Sequence, residues 1–335
     1  MWKIALVYLF AAVIAAVMIY VAITALAPNA EIRAQGVPQA APAALLWVRL
    51  PNYTIPVTYE QCLPWGAEAY CIGGNFAGEN FGISIGQSAP TWRSYGYYPL
   101  DVIGQACSSE GNMAVCVGGT YPSYKVSNAV YYADYNASAA SFRWIAGDPY
   151  PVDSYGSSCT GLSNRIYCVG GEESYGGTPT NHVYFANVSA SGGGEWTNGP
   201  SYPMNATHVS CVPIGDSIYC IGGYTSSNGF SDRVYSLNTT AGAGWTQATS
   251  YPMNITMESC VPYGTTITCI GGFSYATGIA STYTGQVSEN KISWMRNTDF
   301  PRDTFEGSCA LLTSGKPYIL CVAGTYDGEV YYSQV

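Results

Sequence analysis

Twelve cysteines constrain this chain more than any other feature, because they fall into six phased pairs: Cys62/Cys71, Cys107/Cys116, Cys159/Cys168, Cys211/Cys220, Cys260/Cys269 and Cys309/Cys321. Five pairs are spaced C-x8-C and the sixth C-x11-C. Their first members recur at intervals of 45, 52, 52, 49 and 49 residues. Repeats of about 50 residues build propellers or solenoids. Each second cysteine opens the same ending, from Cys71-Ile72-Gly73-Gly74 to Cys269-Ile270-Gly271-Gly272, with the last copy altered to Cys321-Val322-Ala323-Gly324. A tryptophan recurs once per unit at Trp92, Trp144, Trp196, Trp245 and Trp294. Aromatic-proline steps follow at Tyr98-Pro99, Tyr150-Pro151, Tyr202-Pro203, Tyr251-Pro252 and Phe300-Pro301.

Each unit has room for four short strands. In the third unit they are expected near 155–161, 165–170, 182–187 and 195–198. No stretch between units carries a helical period, and 30 tyrosines with 38 glycines suit strands and turns. Four-stranded antiparallel blades follow.

Register tests the first hairpin. If Cys159 faces Cys168, the turn residues are Ser163 and Asn164. The same construction puts Gly66, Gly111, Gly215 and Gly264 first in the other two-residue turns, as a type II′ turn requires. Counting from the turn, the cysteine pair is non-hydrogen-bonded, where side chains lie close. Pro64, Pro213 and Pro262 also fall on a non-hydrogen-bonded site, tolerable on an edge strand. Buried free thiols and metal ligation are the alternatives. Zinc favours closer spacings, and only His182 and His208 are present to help. The expectation is six disulfides, each within one hairpin, in an oxidising compartment, and no metal.

The Gly-Gly doublet closing the second strand, a tyrosine in the third (Tyr131, Tyr184, Tyr235, Tyr283, Tyr331) and the tryptophan in the fourth resemble the kelch repeat over residues 44–335. The resemblance implies a kelch-type six-bladed β-propeller. Departures are the longer Tyr-to-Trp interval, the added cysteines and Ala323-Gly324. The last unit supplies three strands, while Trp47 stands unassigned ahead of the first. Leu45-Leu46-Trp47-Val48-Arg49 is therefore expected to close the ring as the missing fourth strand, over 44–49.

Residues 4–27 contain no charge. A helix of about 20 residues spans a bilayer, whereas a signal peptide needs an apolar core of only about 7–15. Ala25-Leu26-Ala27 has cleavage-site spacing, but Pro28 would follow the cut. The expected organisation is a transmembrane helix in 1–27, an Ala/Pro-rich tether over 28–43 and an all-β propeller over 44–335. The flanking charges weakly favour a cell-membrane protein with its C-terminal domain outside; secretion after cleavage is the alternative.

Net charge is −9, with 12 basic residues, which excludes a basic nucleic-acid face. Sequons at Asn52, Asn136, Asn187, Asn205, Asn238 and Asn254 predict glycans in loops. Six residues before the first cysteine stand Asp101, Asp153, Asn205, Asn254 and Asp303. They read as turn caps, or as a ligand-binding ring. Glu60, Glu258 and Glu306 are expected near the channel. Loop tyrosines Tyr121, Tyr124, Tyr175, Tyr224 and Tyr275 form a candidate recognition face, or pack between blades. Galactose-oxidase-type copper enzymes need two positioned histidines and a free cysteine, and sialidases an arginine cluster with a tyrosine nucleophile. His182 and His208 are expected to be structural or exposed, and eight arginines are scattered. The reading is binding, adhesion or envelope assembly on a surface protein or glycan, without a cofactor. A carbohydrate-active enzyme is the competing reading.

Overall fold

A computed structural model of the chain describes residues 43–85, 89–136, 141–189, 192–325 and 328–335. The expected membrane span and the tether over 28–42 lie outside the described residues. Among the described residues no helix is long and apolar enough to cross a membrane.

Six antiparallel sheets form six blades, each with strands a to d ordered from the channel outward. Blade 1 is typical: Gln61–Trp65, Glu68–Ile72, Glu79–Ser84 and Arg93–Tyr97. The a–b register is the expected one throughout. Cys62 faces Cys71 and Pro64 faces Ala69, and the other hairpins repeat this. All six disulfides lie within hairpins, with Cα separations of 3.9–4.1 Å. Gly66, Gly111, Gly215 and Gly264 lead their turns with φ between 57° and 60°. Blade 3 differs: Ser163 (φ 56°) and Asn164 (φ 61°) are both left-handed, as in a type I′ turn. Strand d is shorter than expected in blade 3 (Thr197–Asn198). The glycines at 192–194 just before it offer no side chain to pack the outer edge.

Closure comes from the N-terminal strand. Val48–Leu50 pairs antiparallel with Val330–Gln334, setting Val48 opposite Tyr332 and Leu50 opposite Val330. The paired strand is Val48–Leu50 rather than the expected 44–49, but Trp47, just ahead of it, still does what its five counterparts do. Each repeating tryptophan meets an aromatic of the preceding connection edge-on: Trp92 on Tyr53, Trp144 on Tyr98, Trp196 on Tyr150, Trp245 on Tyr202, Trp294 on Tyr251 and Trp47 on Phe300, at 4.8–5.0 Å. The strand-c aromatic joins the same cluster, Tyr131 against Tyr98 and Tyr331 against Phe300. Phe81 fills this place in blade 1, which the tyrosine pattern did not reveal.

Neighbouring inner strands are joined by serines. The amides of Cys211, Cys260, Cys309 and Cys62 donate to Oγ of Ser158, Ser210, Ser259 and Ser308, each in the preceding blade, at 2.8–3.1 Å. These bonds occupy edge N–H groups that would otherwise be open for pairing. Ala106 holds the serine position facing Cys159. Ala106→Ser is therefore expected to raise stability by about 0.5–1.5 kcal/mol. Denaturant titration that shows a loss would contradict this repeat.

Candidate functional site

The chain crosses from strand d to the next strand a on one face, here called the upper face. Three residues before each first cysteine it turns left-handed in every blade: Tyr59 (φ 59°), Gly104 (65°), Gly156 (64°), His208 (53°), Met257 (58°) and Glu306 (58°). These residues ring the mouth of the channel, a cavity of about 650 Å³. Backbone bonds run head to tail around them. Gly156 N donates to Gly104 O, His208 N to Gly156 O, Met257 N to His208 O, Glu306 N to Met257 O and Tyr59 N to Glu306 O. Two positions use glycine, which adopts this conformation without steric cost. Four carry side chains there at a cost of order 1 kcal/mol each.

One residue earlier, Tyr155 and Thr207 bridge to Glu172 and Tyr224, the residues that follow the Gly-Gly doublets. The result is a second ring outside the first. Two aromatic tracks run inward across these rings. In one, Tyr124 meets Tyr175 at 4.9 Å, Tyr175 meets Tyr155 at 5.1 Å, and Tyr155 meets His208 at 5.4 Å, with Tyr59 alongside at 6.0 Å from His208. In the other, Tyr224, Phe230, Phe273 and Phe305 follow one another at 4.9–6.0 Å. The second track walls a side pocket of about 250 Å³ that shares His208, Met257 and Glu306 with the channel. Among the described residues no arginine or lysine lines either cavity.

Of the loop tyrosines, Tyr124 and Tyr175 join the first track and Tyr224 the second. Tyr275 is 76% exposed and stands alone at the rim, while Tyr121 packs against the core between blades 1 and 2. Asp101, Asp153 and Asp303 are exposed and line neither cavity. Glu258 and Glu306 line the channel, whereas Glu60 is fully buried. His182 faces the Glu173 carboxylate at 3.4 Å and, unlike His208, lines neither cavity. Asn52, Asn187, Asn205, Asn238 and Asn254 are exposed; the Asn136 side chain lies outside the described residues. The left-handed ring went unread in the sequence. Its signal was present as Gly104 and Gly156 at one repeat position, obscured by four unlike residues at the other copies.

Burial sets the protonation here. Glu60 and Glu258 have no hydrogen-bond partner on either carboxylate oxygen, and loss of solvent raises both to about 8. At the same repeat position Gln105 donates from Nε2 to Ile72 O at 3.1 Å. A protonated glutamic acid has the same shape and can donate likewise. Burial lowers His208 to about 4, so it is neutral. Burial also raises Glu306 and Glu172. The sign follows from which state holds the proton. Glu60 and Glu258 give stability that is complete below about pH 4.5 and lost as pH climbs through about 8. The histidine gives stability that is complete above about 6.5 and lost as pH falls through about 4. Between about pH 6.5 and 8 the carboxyls act unopposed, so stability should fall by about 2 kcal/mol per pH unit. Thermal melts across this window should show that fall, and Glu60→Gln with Glu258→Gln should flatten it. A melting temperature that rises with pH would contradict the assignment.

No family model matches the chain, and no curated protein does. A solved structure described as "Structure of YjhT" matches 85% of this chain and 95% of its own, with a TM-score of 0.69 and 12% identity. At that identity the likeness shows the fold alone.

Proposed function

We propose that this protein is a kelch-type binding propeller outside the cytoplasm, held to a membrane by residues 4–27, that recognises a protein or glycan at its upper channel mouth. The observation that carries the reading is the make-up of that mouth. Two aromatic tracks lead to buried acceptor groups, and among the described residues no cationic side chain lines the cavities. Tyrosine and phenylalanine supply contact area with little conformational cost, and tyrosine adds a polar edge. Six hairpin disulfides support an oxidising compartment, and exposed sequons support a glycosylated surface.

The same make-up argues against the competing chemistry. Sialidase-type hydrolysis needs an arginine cluster, and among the described residues no arginine lines the mouth. A galactose-oxidase-type site needs a second histidine and a free cysteine. His182 sits elsewhere, and among the described residues no cysteine is free. The full chain should therefore bind members of an array of glycans and peptides without hydrolysing the glycans. Steady hydrolysis of a bound glycan would overturn the reading. Intact mass of the native protein should include residues 1–27; a mature start near 30–36 would make it secreted.

A further inference from the structure

The side pocket among blades 3, 4, 5 and 6 has an inventory of polar atoms that selects its ligand. Its wall is apolar: Phe230, Phe273 and Phe305 line it. The hydroxyls at its base are committed within the protein. Thr207 Oγ1 donates to Gly156 O at 3.2 Å, and Thr256 Oγ1 donates to His208 O at 3.2 Å. Apart from the hydroxyl of Tyr224, a residue 39% exposed, what remains open is acceptor capacity. Glu172 is 7% exposed and lines the pocket, and its Oε2 has no partner. Glu306 also lines it, its carboxylate accepting from Thr58 Oγ1 at 2.5 Å and from the Tyr59 side chain. His208 Nδ1 lies 3.0 Å from Thr207 Oγ1. Assigning the ring proton to Nδ1, as the donation of Thr207 to Gly156 implies, leaves Nε2 as a buried, unpartnered acceptor beside Gly156.

An apolar trough ending in acceptors does not suit a neutral sugar, whose own acceptors would go unanswered. It repels a carboxylate. It suits a group with an apolar stem and a head that only donates, which is the chemistry of lysine and arginine. Two carboxyl groups in the lining offset the desolvation of such a cation, and the net charge of −9 favours its approach. Resting on the binding reading above, we infer that this pocket receives a basic side chain of a protein partner. Its alkyl stem lies along the phenylalanines and its cationic head reaches Glu172 and Glu306.

The test is titration of the purified full chain with n-butylammonium, n-butylguanidinium and n-butanol, followed by lysine-containing peptides and an amino-sugar oligomer. The cations should bind at least about tenfold more tightly than butanol. Glu172→Gln should erase that preference, and Glu306→Gln provides a second, independent variant should the first fail to fold. Equal binding of butanol and the cations would overturn the inference. So would an amino-sugar oligomer that outcompetes the lysine peptides. A ligand that requires Tyr124 and Tyr175 but ignores both glutamine variants would overturn it too, while leaving the upper face as a recognition surface. Absence of any ligand at that face would remove both readings.

Discussion

Deleting residues 44–50 should cost this propeller about 5 kcal/mol or more, a loss comparable to the whole stability of an ordinary domain. Leu45 and Leu50 are buried to 2% and 8% exposure, and each is worth about 1.5–3 kcal/mol on burial. The edge-on contact of Trp47 with Phe300 adds about 1 kcal/mol. The charge clasp goes as well, since Arg49 bonds Glu329 at 2.8 Å. Glu329 also accepts from Arg302 and Tyr331; against partial desolvation, these two hydrogen bonds and the charges of Arg49 and Arg302 hold its carboxyl below the usual range. Blade 6 would keep three strands and expose the edge of Val330–Gln334. Thermal melting should fall by about 10 °C or more, at about 2–4 °C per kcal/mol. Trp47→Ala should give a smaller loss in the same direction. An unchanged melt would mean that the ring does not depend on this strand.

Reducing all six disulfides should unfold the domain. Each closes a short loop of about ten residues, worth about 2–3 kcal/mol in the chain-entropy model. Six such increments exceed typical domain stability even if neighbours in contact do not add fully. The reaction should also be slow in native conditions. The inner-hairpin partners Cys71, Cys116, Cys168, Cys220 and Cys269 are all at 0% exposure, so thiolate attack must wait for local opening. Cys309 is the most accessible of the twelve, half-buried where the others are buried. Its hairpin also has the longest turn, from Leu312 to Tyr318. Cys309/Cys321 should therefore open first under graded reduction with differential alkylation. Early opening of another pair would reject that order; an abundant peptide joining cysteines from two blades would reject the blade-by-blade pairing.

Much of this fold could be read before any coordinates because it repeats. Cys-x8-Cys, the turn glycine and Pro64, Pro213 and Pro262 each report the same hairpin register, and agreement among them fixed it. Trp47 was legible as a closing strand because five periodic tryptophans defined what was missing. Phe81 was not, since phenylalanine replaced the expected tyrosine at one copy. The candidate site was harder for a physical reason. Function breaks repetition: Tyr59, His208, Met257 and Glu306 share a backbone conformation but not a side-chain type. Acidic residues counted from the repeat, Asp101, Asp153 and Asp303, were conspicuous in sequence and stand outside the cavities. Glu172 was inconspicuous, and only the bridge to Tyr155 brings it to the mouth.

The central claim is that recognition takes place at the upper mouth, and two tyrosine variants test it most directly. Tyr175 lies on the aromatic track at the upper face, 45% exposed. Tyr263 is similarly exposed at 43%, but sits beside an a–b turn on the opposite face. Quantitative binding of the wild-type chain, Tyr175→Ala and Tyr263→Ala should be compared on the same array of peptides and glycans. The account predicts that Tyr175→Ala loses about tenfold or more in affinity, the scale of an aromatic anchor, while Tyr263→Ala binds as the wild type does. Full binding by Tyr175→Ala together with loss in Tyr263→Ala would place recognition on the other face and contradict it.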